Sequence, residues 1–257
     1  MSPAALLGAA LAGLAAGLVN ALAGGGSLIS FPALTALGIP PLVANLTNTV
    51  ALTPGYLGAT WAQRQDLLGQ GRRALLLVPA AVVGGLAGAV LLLVSDERLF
   101  TALVPWLILL GSALLALQDR LRSWLRRWPA AAGSLGMPTL GMAPLAAVVV
   151  TGAAVYGGYF GAGLSVILLA VLALTLEDSL TRLSGLKQLL ALAANLSAAL
   201  VFIGSGRVAW GMALALGLGA IAGGGLGGAL ASRVKGEALR WVVVALGTGV
   251  GVRLLLR

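Results

Sequence analysis

The sequence predicts an all-α integral membrane protein: a multi-span helical bundle of two repeated halves, each with a glycine-broken helix. Three observations predict it. Hydrophobic residues make up 60% of the chain and charged residues only 9%, whereas a water-facing surface requires charges on roughly a quarter of all residues. Mean hydropathy is +1.04, and apolar stretches of about 18 residues or more recur, each able to cross a hydrocarbon core of about 30 Å. Lastly, two glycine clusters, GGG at 24–26 and GGYFGAG at 157–163, interrupt the longest of these stretches.

Eight segments are expected, at about 4–37, 41–60, 73–94, 99–117, 142–174, 179–203, 208–231 and 238–255. The opening MSPAALLGAALAGLAAGLVN lacks a basic stretch and reads as the first span, not as a cleaved signal. Segments 4–37 and 142–174 are too long for a simple crossing, since at 1.5 Å per residue each would exceed about 45 Å. Each is either a strongly tilted broken helix or a span followed by a re-entrant half-helix.

Loop charge gives an orientation. The stretches 62–73, 95–98 and 118–128 carry three, one and four basic residues. The positive-inside rule therefore puts the first and third in the cytoplasm, and the N-terminus with them. The turn LED at 176–178 has no basic residue and suits the outside. SRVKGEALR at 232–240 carries three basic residues against one in GSGR at 204–207, yet counting from eight spans puts it outside too. That conflict points to a broken segment that adds or removes a crossing, and to halves inverted relative to one another.

The halves echo each other. Residues 17–48 can be laid over 153–185, with Gly24 on Gly161 and Gly26 on Gly163, and GGLAG at 84–88 matches GGLGG at 224–228. Residues 1–118 are expected to form the first membrane repeat, 119–141 a basic linker and 142–257 the second repeat. Duplicated halves with broken helices are a transporter pattern.

The chemistry is narrowed by what is missing. The chain has no cysteine and no histidine, which excludes disulfides, thiol chemistry and the usual zinc and haem sites. No Walker motif is present, and all seven acidic residues fall in or near loops. No enzyme activity, cofactor or metal is expected. The net charge of +9 is spread thinly between apolar blocks and does not indicate nucleic acid.

The breaks themselves are candidate sites. A helix broken in lipid frees N–H and C=O groups that must meet protein, water or ligand. A half-helix starting near Ser27, after Gly25 and Gly26, would aim its positive end into the membrane, with Ser27 as a cap. The second break, around Gly161 and Gly163, would do the same near Leu164 and Ser165. Two such ends make an anion site with few charges. Asn20 precedes the first break, and Tyr156 and Tyr159 flank the second. GGLAG and GGLGG read instead as helix-packing glycines. The cluster ANLTNTVALTPG at 44–55 places Asn45, Asn48 and Thr49 on one helix face. Its second-half partner offers Lys187, Gln188 and Asn195, with Lys187 as the positive charge that attracts substrate or as a residue snorkelling to the headgroups. Six tryptophans near span ends suit an interfacial belt.

The stretches NALAGGGSLISFPAL, PPLVANLTN, YGGYFGAG and GLKQLLALAANLSA, in that order and spacing, make the chain resemble the TauE/SafE family of membrane transporters over about residues 8–255. One departure is LSVILLA after Gly163, where many relatives have a further glycine-rich step. The resemblance implies a multi-pass protein of the prokaryotic inner membrane. It implies a secondary transporter for a small sulfur-containing anion, such as sulfite or an organosulfonate like sulfoacetate. A passive anion channel and a membrane-embedded assembly factor are the alternatives. The partners implied are a small anionic substrate and the lipid bilayer; a homodimer is compatible with this reading. Direction of transport and coupling ion stay open.

Overall fold

The computed structural model describes residues 2–22, 25–125, 143–230 and 236–256. The described elements are helices: α1 (Pro3–Leu22), α2 (Ser27–Ala36), α3 (Pro41–Ala62), α4 (Gly71–Val94), α5 (Glu97–Leu125), α6 (Ala143–Tyr159), α7 (Leu164–Thr175), α8 (Leu180–Gly204), α9 (Trp210–Leu230) and α10 (Gly236–Leu255), with a 3₁₀ turn at Arg64–Leu67. The eight expected segments are recovered, and the two overlong ones are each split at their glycines. Among the described residues, α1, α4, α5, α8, α9 and α10 are long and apolar enough to cross a membrane. Helix α3 has the length, with 22 residues, but carries the polar cluster. Of the expected linker, 119–125 forms the last turns of α5, and 126–142 lies outside the described residues.

Neither broken segment continues in one direction. A Cβ on Gly26 would stand 2.5 Å from the Ala16 carbonyl oxygen and 3.1 Å from Asn20 Cβ, and one on Gly8 would stand 3.1 Å from Leu37 Cδ2. Helix α2 therefore starts beside the end of α1 and runs back towards its beginning. The second segment repeats the move. Leu164 folds against Gly157, where a Cβ would come within 2.6 Å of Leu164 Cδ2, and beyond α7 Asp178 pairs with Arg73 at the start of α4. Each broken segment is thus a hairpin that returns to the face it left.

This corrects two loop assignments. The 176–178 turn lies with the 62–73 loop on one face, not opposite to it. The N-terminal end of α1 lies on the other face, across the bilayer from those basic loops. The cause is the hairpin, which contributes a return pass that counting each segment once omits.

Two helix pairs pack at backbone contact. Helices α1 and α9 run parallel: a Cβ on Gly13 would lie 2.0 Å from the Leu216 carbonyl oxygen, one on Gly17 2.1 Å from that of Ala220, and one on Gly223 2.0 Å from that of Leu14. Helices α4 and α6 are parallel as well, with Gly84 on Thr151 at 2.4 Å and Gly88 on Val155 at 2.1 Å by the same measure. Only a missing side chain allows such approaches, which is how membrane helices gain van der Waals contact. GGLAG is accordingly a packing motif. In the GGLGG region the contact falls on Gly223 and Gly227, while Gly225 meets nothing within 4 Å. Helices α5 and α10 are antiparallel, with Gly251 on Leu109, Gly247 on Ser112 and Arg240 paired with Asp119.

Candidate functional site

Both breaks meet at the middle of α5. A Cβ on Gly111 would touch Ala162 Cβ at 3.0 Å and Leu28 Cδ2 at 3.2 Å, so residues beside each interruption share one glycine of α5. Gly25 lies against Leu115 and Gly163 against Leu114. Phe31 of α2 and Phe160 of the second break meet edge-to-face with centroids 5.3 Å apart.

At the second break Gly161 and Gly163 have φ of +80° and +81°, a conformation open to glycine and strained for other residues. Gly163 is the N-cap of α7, and no side chain caps it. The N–H groups of Leu164 and Val166 bond to the carbonyls of Gly161 and Gly163 at 3.1 and 2.9 Å. Those of Ala162, Gly163 and Ser165 donate no hydrogen bond among the described residues. Unpaired N–H groups at a helix start favour an anion. Carbonyls on the α6 side are occupied: the Tyr156 hydroxyl donates to Ala162 O, and Asn45 Nδ2 of α3 donates to Tyr159 O at 2.9 Å. Asn45 Oδ1 is buried without a hydrogen-bond partner among the described residues. The Tyr159 ring packs edge-on against Phe100 at 5.8 Å.

The first break is built alike. Gly25 has φ +87°. Gly26, not Ser27, occupies the N-cap of α2, again without a side-chain cap; Ser27 is the first helical residue and half-buried. Asn20 of α1 is half-buried beside Gly26. One turn further, the single Ser30 hydroxyl proton is shared between Asn48 Oδ1 of α3 and Gly26 O. Asn48 Nδ2 makes no hydrogen bond among the described residues, which leaves an amide donor. Thr49 spends its hydroxyl proton on Asn45 O at 3.0 Å.

The second-half residues divide. Lys187 and Gln188 are buried on α8 near the basic-loop face, where Thr60 Oγ1 donates to Gln188 O at 3.3 Å. Thr60 is about twelve residues, or about 18 Å of helix, from Asn48 along α3. Asn195 folds back on Ala191 O at 2.8 Å. The structure therefore groups Asn20, Gly25, Gly26, Ser27, Asn45, Asn48, Thr49, Tyr156, Tyr159, Gly161 and Gly163 around the breaks, and sets Lys187 and Gln188 nearer one face.

Sequence reasoning missed Ser30, Gly111 and Ser112. The Ser112 hydroxyl is buried without a partner among the described residues, next to the glycine where the breaks meet. The only signal was a Gly–Ser pair inside an apolar helix. It also missed the partners of Asp178 at the basic-loop face, where Asp178 accepts from Arg73 and from Arg182 Nε at 3.0 Å. Burial pushes the Asp178 carboxyl up, but the hydrogen bonds from Arg182, Arg73 and the Ser179 N–H outweigh it and hold the group below its ordinary range.

A bilayer-crossing helical bundle whose interior holds two broken helices is the architecture of a membrane transporter. Its sequence matches the "Sulfite exporter TauE/SafE" family over residues 9–254, and the chain belongs to that family. It is similar to a "Probable membrane transporter protein" of Haemophilus influenzae, with 26% identity over 230 residues covering 88% of this chain and 85% of the relative. It is also similar to "Probable membrane transporter protein ORF9" of Sinorhizobium sp., with 25% identity and coverage of 95% and 90%. "Probable membrane transporter protein YfcA" of Escherichia coli K12 shares 24% identity, with coverage of 93% and 86%. No solved structure gives a significant match. The chain is a multi-pass protein of the inner (plasma) membrane with a transport function, and not an enzyme.

Proposed function

We propose that the protein is a secondary transporter for a small sulfur-containing oxyanion, sulfite or an organosulfonate such as sulfoacetate, bound where the two helix breaks meet. The observation that carries the reading is the donor set at that place. The N–H groups of Ala162, Gly163 and Ser165 and the Asn48 amide have no partner among the described residues. In a membrane interior each unsatisfied group costs several kcal/mol, so a ligand or water has to meet them. Hydrogen bonds to a charged partner contribute about 1.5–3 kcal/mol each, enough to hold a monoanion without a neighbouring cation. Lys187, nearer the basic-loop face, draws the anion towards the site. The name of the matched family supports the sulfur oxyanion.

The transport cycle rests on two inverted repeats, α1–α5 and α6–α10. Exchanging the halves turns the parallel pair α1 and α9 into α6 and α4, also parallel, and maps the antiparallel pair of α5 and α10 onto itself. Antiparallel counterparts call for an axis in the membrane plane. Among the described residues, Arg98, Arg207 and Arg253 are the only lysines or arginines in loops or helix ends on the face shared with the start of α1. The other face is then cytoplasmic, and both the start of α1 and the end of α10 lie outside.

The test is a binding screen of the purified protein against sulfite, sulfoacetate, taurine, sulfate and chloride, followed by counterflow in liposomes. Saturable binding of a sulfur oxyanion with counterflow is expected. Flux without counterflow would mark a channel, and no binding by any of these anions would remove the reading.

A further inference from the structure

Two loops are fastened together at the basic-loop face. Asp178, between α7 and α8, takes Arg73 of α4 and Arg182 of α8 at once. Arg73 Nη2 also donates to Glu177 O at 3.1 Å. Arg182 Nη1 reaches back to Leu68 O at 2.9 Å. Gln70, 1% exposed, donates to Asp66 O at 2.8 Å and to Arg182 O at 2.9 Å. Under this clasp Gly185 packs on Asp66, where a Cβ would come within 2.8 Å, and Lys187 follows on the same helix, 9% exposed.

The inverted counterpart on the opposite face is fastened differently. There the start of α9 meets α3 through a neutral bond, Ala209 N to Thr47 Oγ1 at 3.1 Å, and Arg207 is exposed. The ion pairs of Asp178 with Arg73 and Arg182, and of Asp119 with Arg240, all lie at the basic-loop face. Two related ends of one site, one locked by charge and the other not, are what alternating access requires of a single state.

We propose that Arg73, Asp178 and Arg182 form the gate on the basic-loop face, and that this structure is the state closed to that face. The gate rests on the transport reading above, because a protein that moves nothing has no use for one. These ion pairs are half-buried, and the two arginines and Asp178 are also tied by hydrogen bonds to the backbone of Leu68, Glu177 and Ser179. The pairs can separate without unfolding any helix, and that separation would uncover Lys187.

The chain has no cysteine, so a single introduced thiol reports access. Ser184 is half-buried on α8, between Arg182 and Lys187 in sequence. In a Ser184→Cys variant, labelling by a charged, membrane-impermeant methanethiosulfonate is timed from each side of oriented vesicles. From the basic-loop side labelling is expected to be slow. Adding Asp178→Asn raises that rate about tenfold as the open population grows, and Arg73→Ala does the same, with insertion and thermal stability checked for each. Combining Ser184→Cys with Arg73→Cys and Asp178→Cys allows positions 73 and 178 to be bridged by a reducible bifunctional reagent. The bridge should hold labelling at the slow rate until reduced. If both charge variants label like the parent, or the bridged protein labels like the reduced one, the gate is overturned. Access is read without any substrate, so this outcome is independent of which anion is carried.

Discussion

Asparagine at position 48 has its carbonyl occupied by Ser30 and its N–H₂ group left over. Replacing it by Ala removes one donor to the anion, and affinity for sulfite or sulfoacetate should fall about tenfold, the effect of one charge-assisted hydrogen bond. Titration calorimetry would read the change, and an unaltered affinity would take Asn48 out of the site. Tyr156 acts on the scaffold instead. Its hydroxyl satisfies the Ala162 carbonyl at the second break, so Tyr156→Phe should cost about 1–3 kcal/mol of stability, visible as a lower melting temperature in detergent. Asp178 gives a pH prediction. Its native carboxyl is held low by Arg182 and Arg73 against the upward push of burial, so its stabilising contribution is complete above the ordinary carboxylate pKa. That contribution is lost as pH falls through the still lower native value. The charged groups facing it are Arg73 and Arg182. The Ser184→Cys labelling rate, corrected at each pH for the thiolate fraction of the introduced cysteine, should therefore stay constant between about pH 5 and pH 8 and rise only in stronger acid.

At the scale of elements, the sequence was most legible where the membrane dictates the answer. Helix length and apolarity gave every described span within a few residues except the end of α5, expected at 117 and found at Leu125, and the glycine clusters gave both interruptions. The direction of each helix after its break was not legible, because glycine permits a bend without stating its sense. The contacts that fix it, Gly26 on Ala16 and Leu164 on Gly157, join residues whose letters carry no reciprocal mark. Ser27 was expected as a cap, but that position falls one residue earlier, on Gly26. The packing glycines also differ among themselves in a way composition hides. Gly17→Leu would drive a side chain into the Ala220 carbonyl, where a Cβ alone would lie 2.1 Å away, and should destabilise by about 1–3 kcal/mol or more. Gly225→Ala meets open space and should be close to neutral. Parallel thermal melts of the two variants would separate a packing glycine from a bystander.

For the whole molecule, loop charge misled only while each broken segment counted as one crossing. Once α2 and α7 are return passes, the described parts of the basic stretches 62–73, 118–128 and 232–240 fall on one face without conflict. The consequence is an orientation opposite to the one that simple counting gives for the N-terminus. With the end of α10 outside, as proposed, alkaline phosphatase fused beyond α10 should be active and a fluorescent protein fused there dark; the reverse pattern would refute the orientation. The candidate site was legible in part for the same reason as the fold. Residues near the breaks were marked by polarity in an apolar context, but Gly111 and Ser112 of α5, which carry the meeting point, stand in an ordinary-looking span. Lys187 and Gln188 were grouped with the asparagines by chemistry, and only the fold separates them along α3.

The claim beneath all of this is that two helix starts, left uncapped by any side chain, hold an oxyanion between them at α5. Calorimetric titration of the purified protein with sulfite and sulfoacetate, beside the Asn48→Ala variant, tests it most directly. The account predicts saturable binding of at least one of these anions, weakened about tenfold in the variant. Absence of binding by either anion, or equal affinity in both proteins, would contradict it.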